Sequence, residues 1–387
     1  MVASSVLVTL GGALGVFLTG AVSVQIDRDL GFGPALLGVG TLVFFAASAL
    51  GSPPAGQIAQ RRGNRFAMRM SAAAALLAAT VIGTATSTAQ ILIGLALAGS
   101  ASALAAPASN AFLATAIDQR YRALAFGIKQ SAVPLATFVG GLAVPTIALT
   151  VGWRPAYLIP AAVAIVALVT VPHRAEPAPV VFRPGGTRVR GATTTVLAIA
   201  TAFGAAAGSA VGAFIVPALV AGGSSEGAAG RAAAIGAGAT VIARIAIGAA
   251  QDRVEIAPLR AVATILLIGT GALGWLATGP TVGIEVLVPV AFIGAWGWPG
   301  LYAYAVVQAY PHAPAAASGY TQAGAFTGAA IGPFVFGLIA DGASYQLAFG
   351  FLALLTSVSA LGMVISAAML TRRTPSPIRP RAPAESP

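Results

Sequence analysis

The chain has 387 residues, 57% hydrophobic and 8% charged, with a net charge of +11 and no cysteine. A water-soluble domain of this size cannot cover its surface with so few charges, so lipid must be the main solvent. Disulfides and thiolate metal sites are excluded, and the arginine excess reads as membrane topology rather than as a nucleic-acid surface.

The charges mark the breaks between apolar stretches, each long enough for the roughly 20 residues a helix needs to cross a bilayer. The first 26 residues carry no cationic start and no clear cleavage site, which reads as a retained first span at 4 to 26. Further spans are expected near 34 to 58, 67 to 87, 90 to 116, 123 to 149 and 154 to 172. Residues 173 to 191 are rich in Pro, Gly and Arg and read as a flexible linker. A second set follows near 193 to 220, 229 to 250, 258 to 278, 283 to 309, 314 to 340 and 345 to 371, and the polar tail from 372 to 387 reads as disordered. Both histidines, His173 and His312, fall in expected loops. The expected fold is all-α and integral to the membrane: twelve transmembrane helices in two pseudo-symmetric six-helix bundles, 1 to 172 and 192 to 371.

Numbering the spans from a cytoplasmic N-terminus puts sixteen of the 21 cations on cytoplasmic loops and the tail, and leaves Arg28, Arg154 and Arg231 outside. The positive-inside rule therefore places both termini in the cytoplasm, on a multi-pass protein of the inner cell membrane.

An ungapped shift of 192 residues lays the second half on the first. It pairs Gly12 with Gly204, Gly20 with Gly212, Gly56 with Gly248, Arg61 with Arg253, Pro107 with Pro299, Gln130 with Gln322, and Tyr157 with Phe349. Arg, Gln, Pro and aromatic matches at one constant offset point to internal duplication. Parallel repeats joined by a cytoplasmic linker suit two bundles rocking about a site between them.

After the second span the chain reads Gly56-Gln-Ile-Ala-Gln60-Arg61-Arg62-Gly63-Asn64-Arg65, and its shorter second copy is Gly248-Ala-Ala-Gln-Asp252-Arg253. This resembles the G-x-x-x-D-R-x-G-R loop signature of the major facilitator superfamily, and the resemblance covers the chain to about residue 371. It implies a conformational latch carried by Gly56, Arg61, Gly63, Arg65, Gly248, Asp252 and Arg253. The signature's carboxylate is replaced by Gln60 in the first copy, which implies a weaker latch there. The alternative is that these arginines serve topology alone.

Two packing devices stand out. Gly204, Gly208 and Gly212 lie four apart in the seventh span, as Gly11 and Gly15 do in the first, a spacing that lets helix backbones approach closely. Pro134 and Pro333 sit inside the fifth and eleventh spans, where each removes a backbone hydrogen bond and favours a kink.

Lys129 and Arg244 lie well inside spans, where an ionisable group is costly unless it faces a cavity or a partner. Each is roughly 10 to 12 Å from the inner helix end, and no carboxylate shares that depth, so a bound anion could be the counter-ion. The bland readings are a snorkelling stem for Lys129 and an interhelical strut to backbone carbonyls for Arg244. The spacing Arg244-x-x-x-Gly248-x-x-x-Asp252-Arg253 resembles the eighth span of monocarboxylate and oxalate/formate carriers, which implies that Arg244 holds a substrate carboxylate. Those oxalate carriers place their second cation in the eleventh span, whereas here Lys129 is in the fifth, and dicarboxylate specificity is in doubt. The stretch Gly127 to Pro134 also resembles bacterial carriers of the cyanate-permease group. Asn110, Gln130, Trp298, Tyr302 and Gln322 could complete a cavity, or serve only to glue helices together.

The leading expectation is a secondary carrier that moves a small organic anion, a carboxylate first, by alternating access as a monomer. It needs no cofactor and no metal, and its partners are the substrate, the bilayer and either a coupling proton or a counter-transported anion. An exporter of hydrophobic compounds is the second reading. No His, Cys or carboxylate cluster in the spans suggests an enzyme.

Overall fold

Alanine, leucine, valine and glycine dominate the apolar stretches. In lipid such stretches have to satisfy every backbone polar group internally, which leaves the helix as their conformation. In a computed structural model of the chain, residues 2–116, 127–171, 191–251, 257–279, 284–310 and 314–371 are described, and every regular element among them is helical. Among the described residues, eleven helices are long and apolar enough to span a membrane. The twelfth segment, Arg154–Thr170, is shorter: one 3-10 turn followed by an α-helix from Leu158. The protein is a multi-pass membrane protein whose regular elements, among the described residues, are all helices. The expected linker and tail, with Asp118, Asp252 and Arg253, lie outside the described residues, as do the side chains of Gln60 and Asn110.

In the first half, span 1 is Val2–Ala21 with a short continuation at Ser23–Leu30, span 2 is Pro34–Arg62, span 3 is Asn64–Gly83 and span 4 is Thr88–Ala116. Span 5 runs over Gly127–Val151 and span 6 over Arg154–Thr170. In the second half, spans 7, 8 and 9 are Ala192–Ala221, Glu226–Gln251 and Pro258–Leu276. Span 10 is split into Ile284–Trp296 and Pro299–Ala309, and spans 11 and 12 are Pro314–Gly342 and Tyr345–Thr371.

The packing repeats as the sequence does. Span 1 lies against spans 5 and 6 as span 7 lies against 11 and 12, and spans 2, 3 and 4 pack together as 8, 9 and 10 do, apart from the 8–9 contact. Across the seam, span 2 meets span 11, span 5 meets span 8, and span 1 meets span 7. The closest backbone approaches across the seam gather towards one end, here the far end, where spans 1 and 2 join. A Cβ on Gly20 would lie 2.5 Å from the Ala213 carbonyl oxygen, one on Gly141 2.5 Å from that of Gly230, and one on Gly337 2.5 Å from that of Pro34. The same end is pinned by Arg28 of the first half, which pairs with Glu226 of the second at 2.5 Å. The amide of Gln25 donates to the other Glu226 oxygen.

Besides span 6, three spans depart from continuous α-helix among the described residues. Span 5 has a turn at Ser131 and a π-helical stretch at Val144–Ala148 that contains Pro145. Span 10, expected as one helix, is broken at Gly297 and Trp298. Span 1 turns at Val22. Span 11 stays helical through Pro333.

Candidate functional site

The break in span 10 follows from Pro299. In an unbroken helix its amide would donate to the Ala295 carbonyl, and proline has none. The indole Nε1 of Trp298 donates to that carbonyl instead, at 2.9 Å. The neighbouring carbonyl of Trp296, at the end of the first helical piece, accepts from Nε of Arg244 at 2.7 Å. Pro134 has the same effect in span 5: it leaves the Gln130 carbonyl without its helical donor, and that carbonyl accepts from Nη1 of Arg244 at 2.5 Å. Arg244 also lies 5.8 Å from the ring centroid of Trp296. One guanidinium thus joins span 8 to span 10 within the second half and to span 5 across the seam. This is the strut arrangement, made to the Gln130 carbonyl that Pro134 has left without a helical donor and to the Trp296 carbonyl at the break of span 10.

The strut borders a cavity. A space of about 200 Å³ is lined by Phe45, Gln130 and Val133 of the first half and by residues of spans 7, 8, 10 and 11 of the second. Of the residues expected to form a site, Gln130, Arg244, Trp298, Tyr302 and Gln322 line this cavity. Gln130 and Gln322, partners in the 192-residue repeat, face it from opposite halves. Lys129 is buried, 3% exposed, and is not among the lining residues. The backbone of Asn110 lies in span 4, but its side chain is outside the described residues. Among the described lining residues Arg244 is the one charged group, and no carboxylate faces it.

Sequence reasoning missed Trp296, Thr201, Ser209, Thr321, Phe45 and Phe326, all in the lining. Trp296 was readable in principle, because it precedes the Gly297-Trp298-Pro299 break that turns its carbonyl inward. The hydroxyls carried no signal, since Thr201 and Thr321 satisfy themselves on carbonyls one turn back at 2.7 and 3.1 Å, as threonine does in any membrane helix.

The glycine ladder of span 7 turns out to be a shelf for rings. A Cβ on Gly204 would lie 2.9 Å from Trp298, one on Gly208 1.7 Å from Trp296, and one on Gly212 2.8 Å from Phe17. Phe17 and Trp296 meet edge to face at 5.1 Å between centroids, and Trp298 and Tyr302 at 5.6 Å. The first of these contacts crosses the seam, so the aromatic wall belongs to both halves.

In the loop motif, Gly63 joins spans 2 and 3 with φ at +91°, a conformation that favours glycine. Its amide closes the end of span 2 on the Ala59 carbonyl at 2.9 Å. Arg61 and Arg62 are exposed, and Arg62 lies 5.1 Å from the ring centroid of Phe66. Gly56 and Gly248 each have open space where a Cβ would stand.

Comparison with known proteins follows the same lines. The family model described as Major Facilitator Superfamily matches residues 5–323. A crystal structure of a D-xylose-proton symporter superposes with a TM-score of 0.74 over 93% of this chain and 95% of that one, at 14% sequence identity, a likeness of fold. A search of curated proteins finds no match. With the family match covering most of both halves, the chain belongs to the major facilitator superfamily, whose members are transporters rather than enzymes.

Proposed function

We propose that this transporter moves a small organic anion, with a carboxylate as first candidate, by alternating access between its halves. The observation that carries the reading is Arg244, 7% exposed, on the edge of a seam cavity whose described lining holds no acidic residue. Arg244 is held by carbonyl dipoles and the face of Trp296, and an anion in the cavity would complete its neutralisation. Gln130 and Gln322 supply amides, and the Trp298 and Tyr302 rings supply a wall for the organic part. Lys129, beside Gln130 in the chain, adds positive potential from behind the lining, and Asn110 is the repeat partner of Tyr302. The positive-inside rule makes the arginine-bearing loop end cytoplasmic, so the pinned far end faces outward and the Gly56 to Arg65 loop is an inner latch. Proton symport and anion exchange are both compatible with this site.

Uptake of radiolabelled organic acids by proteoliposomes tests the reading. Arg244→Gln and Lys129→Gln should each cut uptake at least tenfold, with helical content and melting behaviour preserved. Unchanged transport of every acid in both variants would sink it.

A further inference from the structure

Arg244 spends its charge on two backbone carbonyls, and only one of them belongs to its own half. The Trp296 carbonyl is fixed within the second half by the span 10 break. The Gln130 carbonyl belongs to span 5 of the first half, and Pro134 leaves it open by having no amide to donate. A full negative charge is a stronger acceptor for a guanidinium than a neutral carbonyl. An anion entering the cavity would therefore compete for Arg244 at a bond that ties span 8 to span 5 across the seam. The rest of the described lining is alkyl, aromatic, hydroxyl and amide, so a second negative charge on the ligand would find no cation there.

Resting on the anion reading above, we propose that the substrate is a monocarboxylate with an apolar body, whose carboxylate replaces the Gln130 carbonyl on Arg244. Binding then breaks a bond between the halves, and Pro134 is the positioning residue that keeps this carbonyl available. A bond that helps hold the empty state is the one the ligand exchanges for its own. Occupancy and release of the seam are the same event.

The test uses the full chain in nanodiscs. Because the protein has no cysteine, Thr150→Cys and Thr278→Cys place two spin labels at exposed far-end positions, one in each half. Benzoate, phenylacetate and hexanoate serve as monocarboxylates, with phthalate and adipate as dicarboxylates. The expected result is a shift to longer label separations with at least one monocarboxylate and none with the dicarboxylates. Pro134→Ala restores an amide facing the Gln130 carbonyl, should populate the longer separations without ligand, and should bind the active monocarboxylate several-fold more tightly. Pro333→Ala restores an amide in a helix without an arginine partner and should leave that affinity unchanged, which separates positioning from general helix straightening. Binding that leaves the distances unmoved, an affinity unchanged or weakened by Pro134→Ala, or dicarboxylates bound as tightly as monocarboxylates overturns the exchange while the anion reading stands. Loss of neither binding nor uptake in Arg244→Gln overturns both. The labelled protein with Pro134 intact carries the test even where the proline variant does not fold.

Discussion

Gly208 and Trp296 occupy one another's space: a Cβ on Gly208 would lie 1.7 Å from Cδ1 of the Trp296 indole and 1.8 Å from its Nε1. The indole is 7% exposed and packed edge to face against Phe17, so it has little room to swing. Gly208→Ala must therefore move the ring, and with it the Trp296 carbonyl that accepts from Arg244. Overpacking of this kind costs about 1 to 3 kcal/mol. We expect a lower melting temperature and loss of most uptake. Gly300→Ala, where a Cβ meets open space, is the control and should leave both unchanged. Equal melting and uptake in the two variants would contradict the shelf.

The far end closes on Glu226. Its side chain is 12% exposed, whereas that of its partner Arg28 is 63% exposed. Solvent screening at the arginine keeps the pair below about 1 kcal/mol in stability. The consequence should appear in gating rather than in melting, because the pair joins spans 1 and 8 across the seam. Glu226→Ala also strands the Gln25 amide. We expect a cysteine introduced at Ala213 to react faster with a water-soluble maleimide in this variant, with the melting temperature lower by only a few degrees. Equal labelling rates would show that the backbone contacts alone keep this end shut.

Tyr157, fully buried, shares a 2.6 Å hydrogen bond with Thr19, which in turn sits 2.6 Å from the Gly15 carbonyl. The pair ties span 6 to span 1. Tyr157→Phe removes the hydroxyl and leaves Thr19 its backbone acceptor, so no donor is orphaned. The loss should be near the net worth of one hydrogen bond, about 1 kcal/mol. Thr19→Val strands the tyrosine hydroxyl and should cost more. Thermal unfolding of the two variants checks the order; the reverse order would show that Tyr157 reaches another partner.

How much of this was legible depended on whether the sequence signal was periodic or local. The twelve spans and the two halves follow from where charge interrupts apolar stretches, and the repeat of Gly20 on Gly212 or Gln130 on Gln322 follows from a constant offset. Arg244 was visible because a charge in a span is rare. Its partners were not, because they are backbone carbonyls of Gln130 and Trp296, and nothing in a residue's identity says that its carbonyl is unpaired. That information sits four positions later in Pro134, and in Pro299 beyond the Gly297 break, where it could be read only as a general tendency to kink. The split of span 10 was missed for the same reason. The ladder Gly204, Gly208, Gly212 was recognised as a close-approach surface for a helix backbone, which Ala295 supplies at Gly208, but the three aromatic rings that also fill it carried no such signal.

At the far end of the first half, Asp29 receives the Trp153 indole N–H at 2.9 Å and Nη1 of Arg154 at 3.0 Å. Arg154 also donates to the Ala85 carbonyl at 3.1 Å and lies 4.4 Å from the Trp153 ring centroid. These contacts clasp the end of span 1 to the connection between spans 3 and 4 and to the start of span 6. The indole bond first, and the arginine next, hold the Asp29 carboxyl below its ordinary value of 3.8. A carboxylate whose pKa is lower folded than unfolded contributes stability above its unfolded pKa of about 3.9, and that contribution disappears as the pH falls through the folded value. With the Asp29 side chain 47% exposed the effect is small. Asp29→Asn should therefore melt slightly below the unaltered protein at pH 7, and the two curves should converge as the pH is lowered below 4. A difference that does not shrink as the pH falls below 4 would mean that the clasp acts through the shape of the side chain rather than its charge.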